Sequence, residues 1–140
     1  MKKNRYFEMM EKQQKEFNSF PRGAAFNDKQ FECVKQQLGV DEKDLVSVGY
    51  GMYIKKSDLD AFKQMMSNFE IEFEKAIEDD ETGDGFVYDM FKYELENHEF
   101  CITGDIEETA NALGFTVDEI LDNSKLSYGC AKAVIDIYRG

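Results

Sequence analysis

A carboxylate, an imidazole and a thiol stand at Glu94, His98 and Cys101, at spacings of four and three. On a helix those spacings fall on one face. The three groups are therefore candidates for a metal site, or for a thiol nucleophile with a histidine base. All three are zinc ligands in other settings, but His98 is the one histidine of the chain, so a typical catalytic set is not completed. The three cysteines (Cys33, Cys101, Cys130) lie far apart without a CxxC pair, which signals neither a zinc ribbon nor a redox dithiol. A Cys–His pair also needs a lowered thiol pKa, which the carboxylates of Glu94, Glu96 and Glu99 oppose. His98 continues the apolar series of Phe91 and Leu95, as a hydrogen-bonded histidine at a core margin would. The expectation is no catalytic residue, no metal and no cofactor, with Glu94/His98/Cys101 as the enzyme alternative.

Carboxylates are the other chemistry on offer. Asp79, Asp80, Glu81 and Asp84 crowd the turn at residues 79–85, together with Gly83 and Gly85. A calcium loop requires oxygen ligands at its first, third and fifth positions, glycine at the sixth and glutamate at the twelfth. Aligning Gly85 with that glycine places Asp80, Thr82 and Asp84 suitably, but Phe91 then occupies the twelfth position. The bidentate ligand is missing, so the segment reads as a solvated turn between helices. A second acidic group, Asp118, Glu119 and Asp122, follows the Leu113-Gly114 corner and Thr116. Residues 105–123 have the outline of a helix-turn-helix, yet a DNA reader needs donors and cations on its second helix. Carboxylates there repel phosphate, and direct nucleic-acid binding is not expected.

The net charge agrees. Lys plus Arg number 17 against 29 Asp plus Glu, a balance of −12. Residues 1–38 hold 8 basic and 5 acidic side chains, whereas 39–140 hold 9 and 24, a balance of −15. Such an imbalance opposes phosphate-backbone binding and favours encounter with basic surfaces. The sequence thus points to a noncatalytic binding or regulatory protein that recognises a basic protein partner. Its contacts would be Asp79, Asp80, Glu81 and Asp84, with Asp118, Glu119 and Asp122 as a second patch. A DNA mimic that occupies a nucleic-acid-binding protein is the sharper alternative. Aromatic residues at 14% leave enough apolar surface for a homodimer.

The elements that must position these groups are mostly helical. Tyr6, Phe7, Met10, Phe17 and Phe20 recur at helical spacing up to Pro21, and residues 21–26 form a loop. Asn27 with Gln30 opens a helix that Gly39 closes, with Val40 as the following hydrophobic contact. Residues 45–48 and 52–54 flank Gly49-Tyr50-Gly51 and predict a small antiparallel hairpin near residues 45–55. Gly49-x-Gly51 is no dinucleotide fingerprint, since Ile54 stands where the third glycine belongs. Leu59, Phe62, Met66, Phe69, Phe73 and Ala76 form the stripe of the longest helix, and Val87, Met90, Phe91, Leu95 and His98 that of the next. Asp105 with Glu108 opens a short helix, Thr116 with Glu119 makes a capping box, and Tyr128, Ala131, Val134, Ile135 and Tyr138 mark a last helix. The predicted fold class is α+β, a mainly helical single domain over residues 1–140 with five to seven helices. No run reaches the roughly 18 apolar residues of a membrane span, the start reads as mixed polar sequence without a signal peptide, and scattered thiols fit a reducing cytoplasm.

The run of residues 86–105, with Phe20-Pro21 and Ala112-Leu113-Gly114, resembles an uncharacterised family of small acidic proteins from Gram-positive bacteria, their phages and mobile elements. The resemblance implies a bacterial cytoplasmic setting and an accessory role. It assigns no residue a function.

Overall fold

A computed structural model describes residues 3–140, apart from the side chain of Cys101. The chain is mainly helical α+β, in the order α1 (Arg5–Asn18), β1 (Gly23–Ala24), α2 (Asp28–Leu38), β2 (Leu45–Gly49), β3 (Met52–Lys55), α3 (Leu59–Asp79), α4 (Phe86–Asn97), α5 (Phe100–Thr103), α6 (Glu107–Leu113), α7 (Val117–Asp122) and α8 (Ser124–Arg139). Seven of these helices have six residues or more, and α5 is a single turn. Its contacts fall into two compact units, residues 1–12 with 72–140 and residues 13–71. The divisions lie inside α1, after Lys12, and inside α3, after Ile71.

The unit of residues 13–71 is built on a small sheet with strand order β1-β3-β2, antiparallel throughout. The expected hairpin is present, and β3 gains a partner on its other edge, where Gly23 faces Tyr53 and Ala24 faces Met52. A two-residue strand has no periodicity to read, so β1 stood as loop in the sequence. Glycine matters here because a Cβ on Gly23 would lie 2.8 Å from Val34 Cγ2. Val34 of α2, Ala25 and Leu45 form the core of this unit, backed by Phe31, Leu38, Val40 and Tyr53. Caps delimit α2 as its sequence dictates. Asn27 accepts the Gln30 N–H at one end, and Gly39 (φ 69°) closes the other while Val40 N–H reaches the Lys35 carbonyl.

The other unit is centred on α4, whose Val87, Met90, Phe91 and Leu95 are fully buried. Each contributes roughly 1.5–3 kcal/mol by leaving water. Tyr6 of α1 packs edge-on against Phe86 and Phe73, at centroid distances of 5.9 and 6.5 Å. Helix α8 corrects the periodicity. Its buried face is Leu126, Gly129, Cys130 and Ala133, whereas Tyr128, Ile135 and Tyr138 of the expected stripe are exposed. Small residues win because α8 approaches α4 closely: a Cβ on Gly129 would lie 2.6 Å from Val87 Cγ1. Burial pushes the Cys130 thiol up to about 11, so it packs as an unreactive small hydrophobe.

Candidate functional site

The turn between α3 and α4 brings part of the predicted acidic patch together. Asp79, Asp80 and Glu81 line a groove of about 400 Å³ together with the apolar Ala76 and Phe86 and the cation Arg5. Asp79 ends α3, with Lys75 4.0 Å away, and both it and Glu81 are exposed. Arg5 lies 3.7 Å from Asp89 Oδ2. This cation and the apolar pair were not singled out in sequence, since nothing in local spacing links residue 5 to residues 76–86.

Asp80 does a different job from its neighbours. Its Oδ1 accepts the Gly83 N–H at 3.0 Å, and its Oδ2 accepts those of Gly85 at 3.1 Å and Val87 at 2.9 Å. Partial burial works to raise its pKa, but the amide donors of Val87, Gly83, Gly85 and Thr82 outweigh that and hold it below the ordinary carboxylate value of 3.8. Asp80 therefore supplies the acceptor that the first turn of α4 lacks, because Gly85 has no side chain to cap it. Thr82 Oγ1 accepts the Asp84 N–H at 3.2 Å, and Asp84 pairs with Lys132 of α8. The oxygens that a calcium loop would aim at one centre are thus turned to backbone amides and an ammonium group. Among the described residues no group of three or more His, Cys, Asp and Glu side chains is placed to hold a metal ion.

A depressed carboxylate pKa stabilises the fold above the unfolded value and loses that contribution as pH falls through the folded one. Asp80→Asn is accordingly expected to cost about 1–2 kcal/mol near neutrality and progressively less below about pH 4. Urea midpoints of the two proteins across pH 3 to 7 (about that range) check this. A constant difference would show that the charge of Asp80 is not what holds the turn.

The second patch lies on α7, where Asp118, Glu119 and Asp122 are exposed. Glu119 is engaged in the expected capping box: Thr116 Oγ1 accepts the Glu119 N–H at 3.1 Å, and Glu119 Oε1 accepts the Thr116 N–H at 3.2 Å. Asp118 and Asp122 are thus the carboxylates of this patch without a capping task.

Glu94 and His98 do meet. Glu94 is 4% exposed, its Oε2 lies 3.2 Å from His98 Nε2, and its Oε1 accepts the Tyr6 hydroxyl at 2.9 Å. Burial, followed by the adjacent Glu94 carboxylate, raises the Tyr6 pKa and keeps the phenol a neutral donor. His98 Nδ1 faces Glu108 Oε2 at 3.8 Å. Both ring nitrogens therefore face carboxylates, an arrangement that orients the imidazole. The side chain of Cys101 lies outside the described residues. Tyr88 forms a similar pair, donating to Asp136 Oδ2 at 2.6 Å, and burial with that bond pushes its phenol up to about 12.

No helix among the described residues is long and apolar enough to cross a membrane. A family of unknown function, DUF7659, matches residues 5–136. No curated protein and no solved structure matches the chain.

Proposed function

We propose that this chain, which belongs to the DUF7659 family, is a noncatalytic binding protein whose acidic unit takes a basic segment of a protein partner. The observation that carries the reading is the groove lined by Asp79, Asp80 and Glu81 beside the apolar Ala76 and Phe86, with Arg5 as its one cation. Its setting supports it. Residues 1–12 and 72–140 hold 9 basic and 20 acidic side chains, a balance of −11, against 8 and 9 in residues 13–71. Apolar side chains beside carboxylates suit the stems and heads of lysine and arginine, which bury methylenes and keep their charge at the edge. Asp79 and Glu81 are the groups for a partner, because Asp80 is held by the turn itself. The setting in a bacterial cytoplasm and an accessory, regulatory role belong to the same proposal.

The test is the affinity of a fluorescent lysine- and arginine-rich peptide at about 0.1 M and about 1 M salt, where the screening length falls from roughly 10 to 3 Å. Binding is expected to weaken at least about tenfold. The double variant Asp79→Lys/Glu81→Lys is expected to weaken it comparably at the lower salt. A lysine at position 79 suits the C-terminal end of α3, so the variant should fold. An affinity indifferent to both salt and charge reversal would overturn the proposal.

A further inference from the structure

We infer that the cleft beside the hairpin in residues 13–71 is a seat for one arginine side chain of a basic peptide. The cleft measures about 360 Å³, at the small end of the roughly 300–1,000 Å³ typical of ligand sites. Phe26, Phe31 and Tyr53 supply its rings, Asp28 and Glu42 its charges, and no cation is among the residues that line it. The inference rests on the reading that the partner is basic, and it adds a second, chemically different contact on another unit.

Two observations define how the cleft is built. Phe26 is 78% exposed, yet its position is fixed. Its N–H donates to Gln30 Oε1 at 2.7 Å, and the preceding Ala25 N–H donates to the Gly51 carbonyl at 2.8 Å. Its ring lies directly over Gly51, where an added Cβ would come within 2.5 Å of Cε1. The exposed Phe26 ring thus borders the same cleft that Phe31 and Tyr53 line. Behind it, Phe31 and Tyr53 meet edge to face at 5.1 Å. Phe31 already attracts one cation, with Lys35 Nζ 5.9 Å from its centroid. That lysine is also drawn to Glu32, at 2.7 Å.

Charge complementarity selects the occupant. Asp28 makes no ion pair among the described residues, and Glu42 acts on Lys35 only through its field. A guanidinium group satisfies both features at once, since it stacks flat on a ring and forks onto a carboxylate. An ammonium group is drawn to both as a point charge, but it neither stacks flat nor forks. A neutral apolar side chain would leave two carboxylates facing it.

The experiment titrates the full chain with a capped glycine peptide carrying one arginine, and with the same peptide carrying citrulline, its neutral isostere. Amide spectra give both location and affinity. Saturable shifts are expected at Phe26, Asp28, Phe31, Glu42 and Tyr53, with citrulline at least about fivefold weaker. Phe26→Ala and Glu42→Gln should each weaken the arginine peptide about three- to fivefold, in line with exposed cation–ring contacts. Phe26→Leu, which keeps apolar bulk but removes the ring, should weaken it as Phe26→Ala does. Equal binding of both peptides at this cleft would overturn the cation assignment. Shifts confined to residues 76–86 would overturn the seat and leave the acidic-groove reading standing. Failure of this peptide and of the longer basic peptide to bind anywhere would remove both.

Discussion

Gly83→Ala is expected to destabilise the protein by about 3 kcal/mol, lowering its thermal midpoint by roughly 10 °C. Two independent costs combine. Gly83 has φ 94°, a conformation that costs an L-residue on the order of 1–2 kcal/mol. A Cβ there would also lie 2.4 Å from the Lys125 carbonyl oxygen. That neighbour is backbone and cannot swing aside, so the first turn of α8 would have to move, at a typical overpacking cost of about 1–3 kcal/mol. The smaller entropy of an unfolded alanine returns roughly 0.4–1 kcal/mol. Gly114→Ala separates the two terms. Gly114 also has a positive φ, 83°, but nothing lies within 4 Å of an added Cβ. It should lose about 1 kcal/mol, the backbone term alone. Equal losses for the two variants by urea unfolding would show that the approach to Lys125 is not tight.

The consequence reaches the candidate site, because Gly83 belongs to the segment that Asp80 organises. Its N–H is one of the donors to Asp80 Oδ1, and Lys125 on the far side donates through Nζ to the carbonyls of Ile77 and Glu78. The carboxylates of Asp79 and Glu81 are therefore presented by a turn fixed from both ends. On the proposed reading, a turn whose backbone is settled before a partner arrives loses less entropy on binding.

Much of this was legible in local sequence, and the remainder was not, for definite reasons. Asn27, Gly39, Thr116 and Glu119 act within four residues of themselves, so their spacing carried their caps. The hairpin declared itself through alternating residues around two glycines, although Tyr50 at its tip takes φ 54° and is almost wholly exposed. Acidic residues 79–84 were legible as a group, but not how they divide. The division between Asp79, Asp80 and Asp84 depends on amides that the loop folds back and on Lys132, forty-eight residues away. Helix α8 misled because it is apolar on two faces. Its core face was decided by how closely α4 approaches Gly129 and Ala133, a tertiary fact that favours small residues over large ones. The pairing of Glu94 with His98 was readable as an i, i+4 spacing, whereas Tyr6, eighty-eight residues from Glu94, was not.

That last contact sets up the second large effect. Glu94→Ala is expected to cost about 3–4 kcal/mol, with Glu94→Gln costing about half as much. Removing the side chain leaves the Tyr6 hydroxyl without its acceptor inside the core, at roughly 1–3 kcal/mol. It also opens a space between α1 and α4 that its surroundings fill only in part. Against this, the carboxylate no longer has to be stripped of water, which keeps the loss below that of a buried charge left unpaired. Glutamine preserves the volume and still accepts from Tyr6, so it forfeits mainly the charge. A double-mutant cycle isolates the bond. Tyr6→Phe alone should cost about 1.5–2 kcal/mol, and Tyr6→Phe/Glu94→Ala, in which both partners are gone, should cost less than the sum of its singles by about 1 kcal/mol or more. Additivity would mean that the 2.9 Å contact carries no energy and that Glu94 is buried for another reason. Tyr6 and Glu94 strongly coupled, beside His98→Gln with little effect on stability, would place Glu94 among the groups that hold the core together.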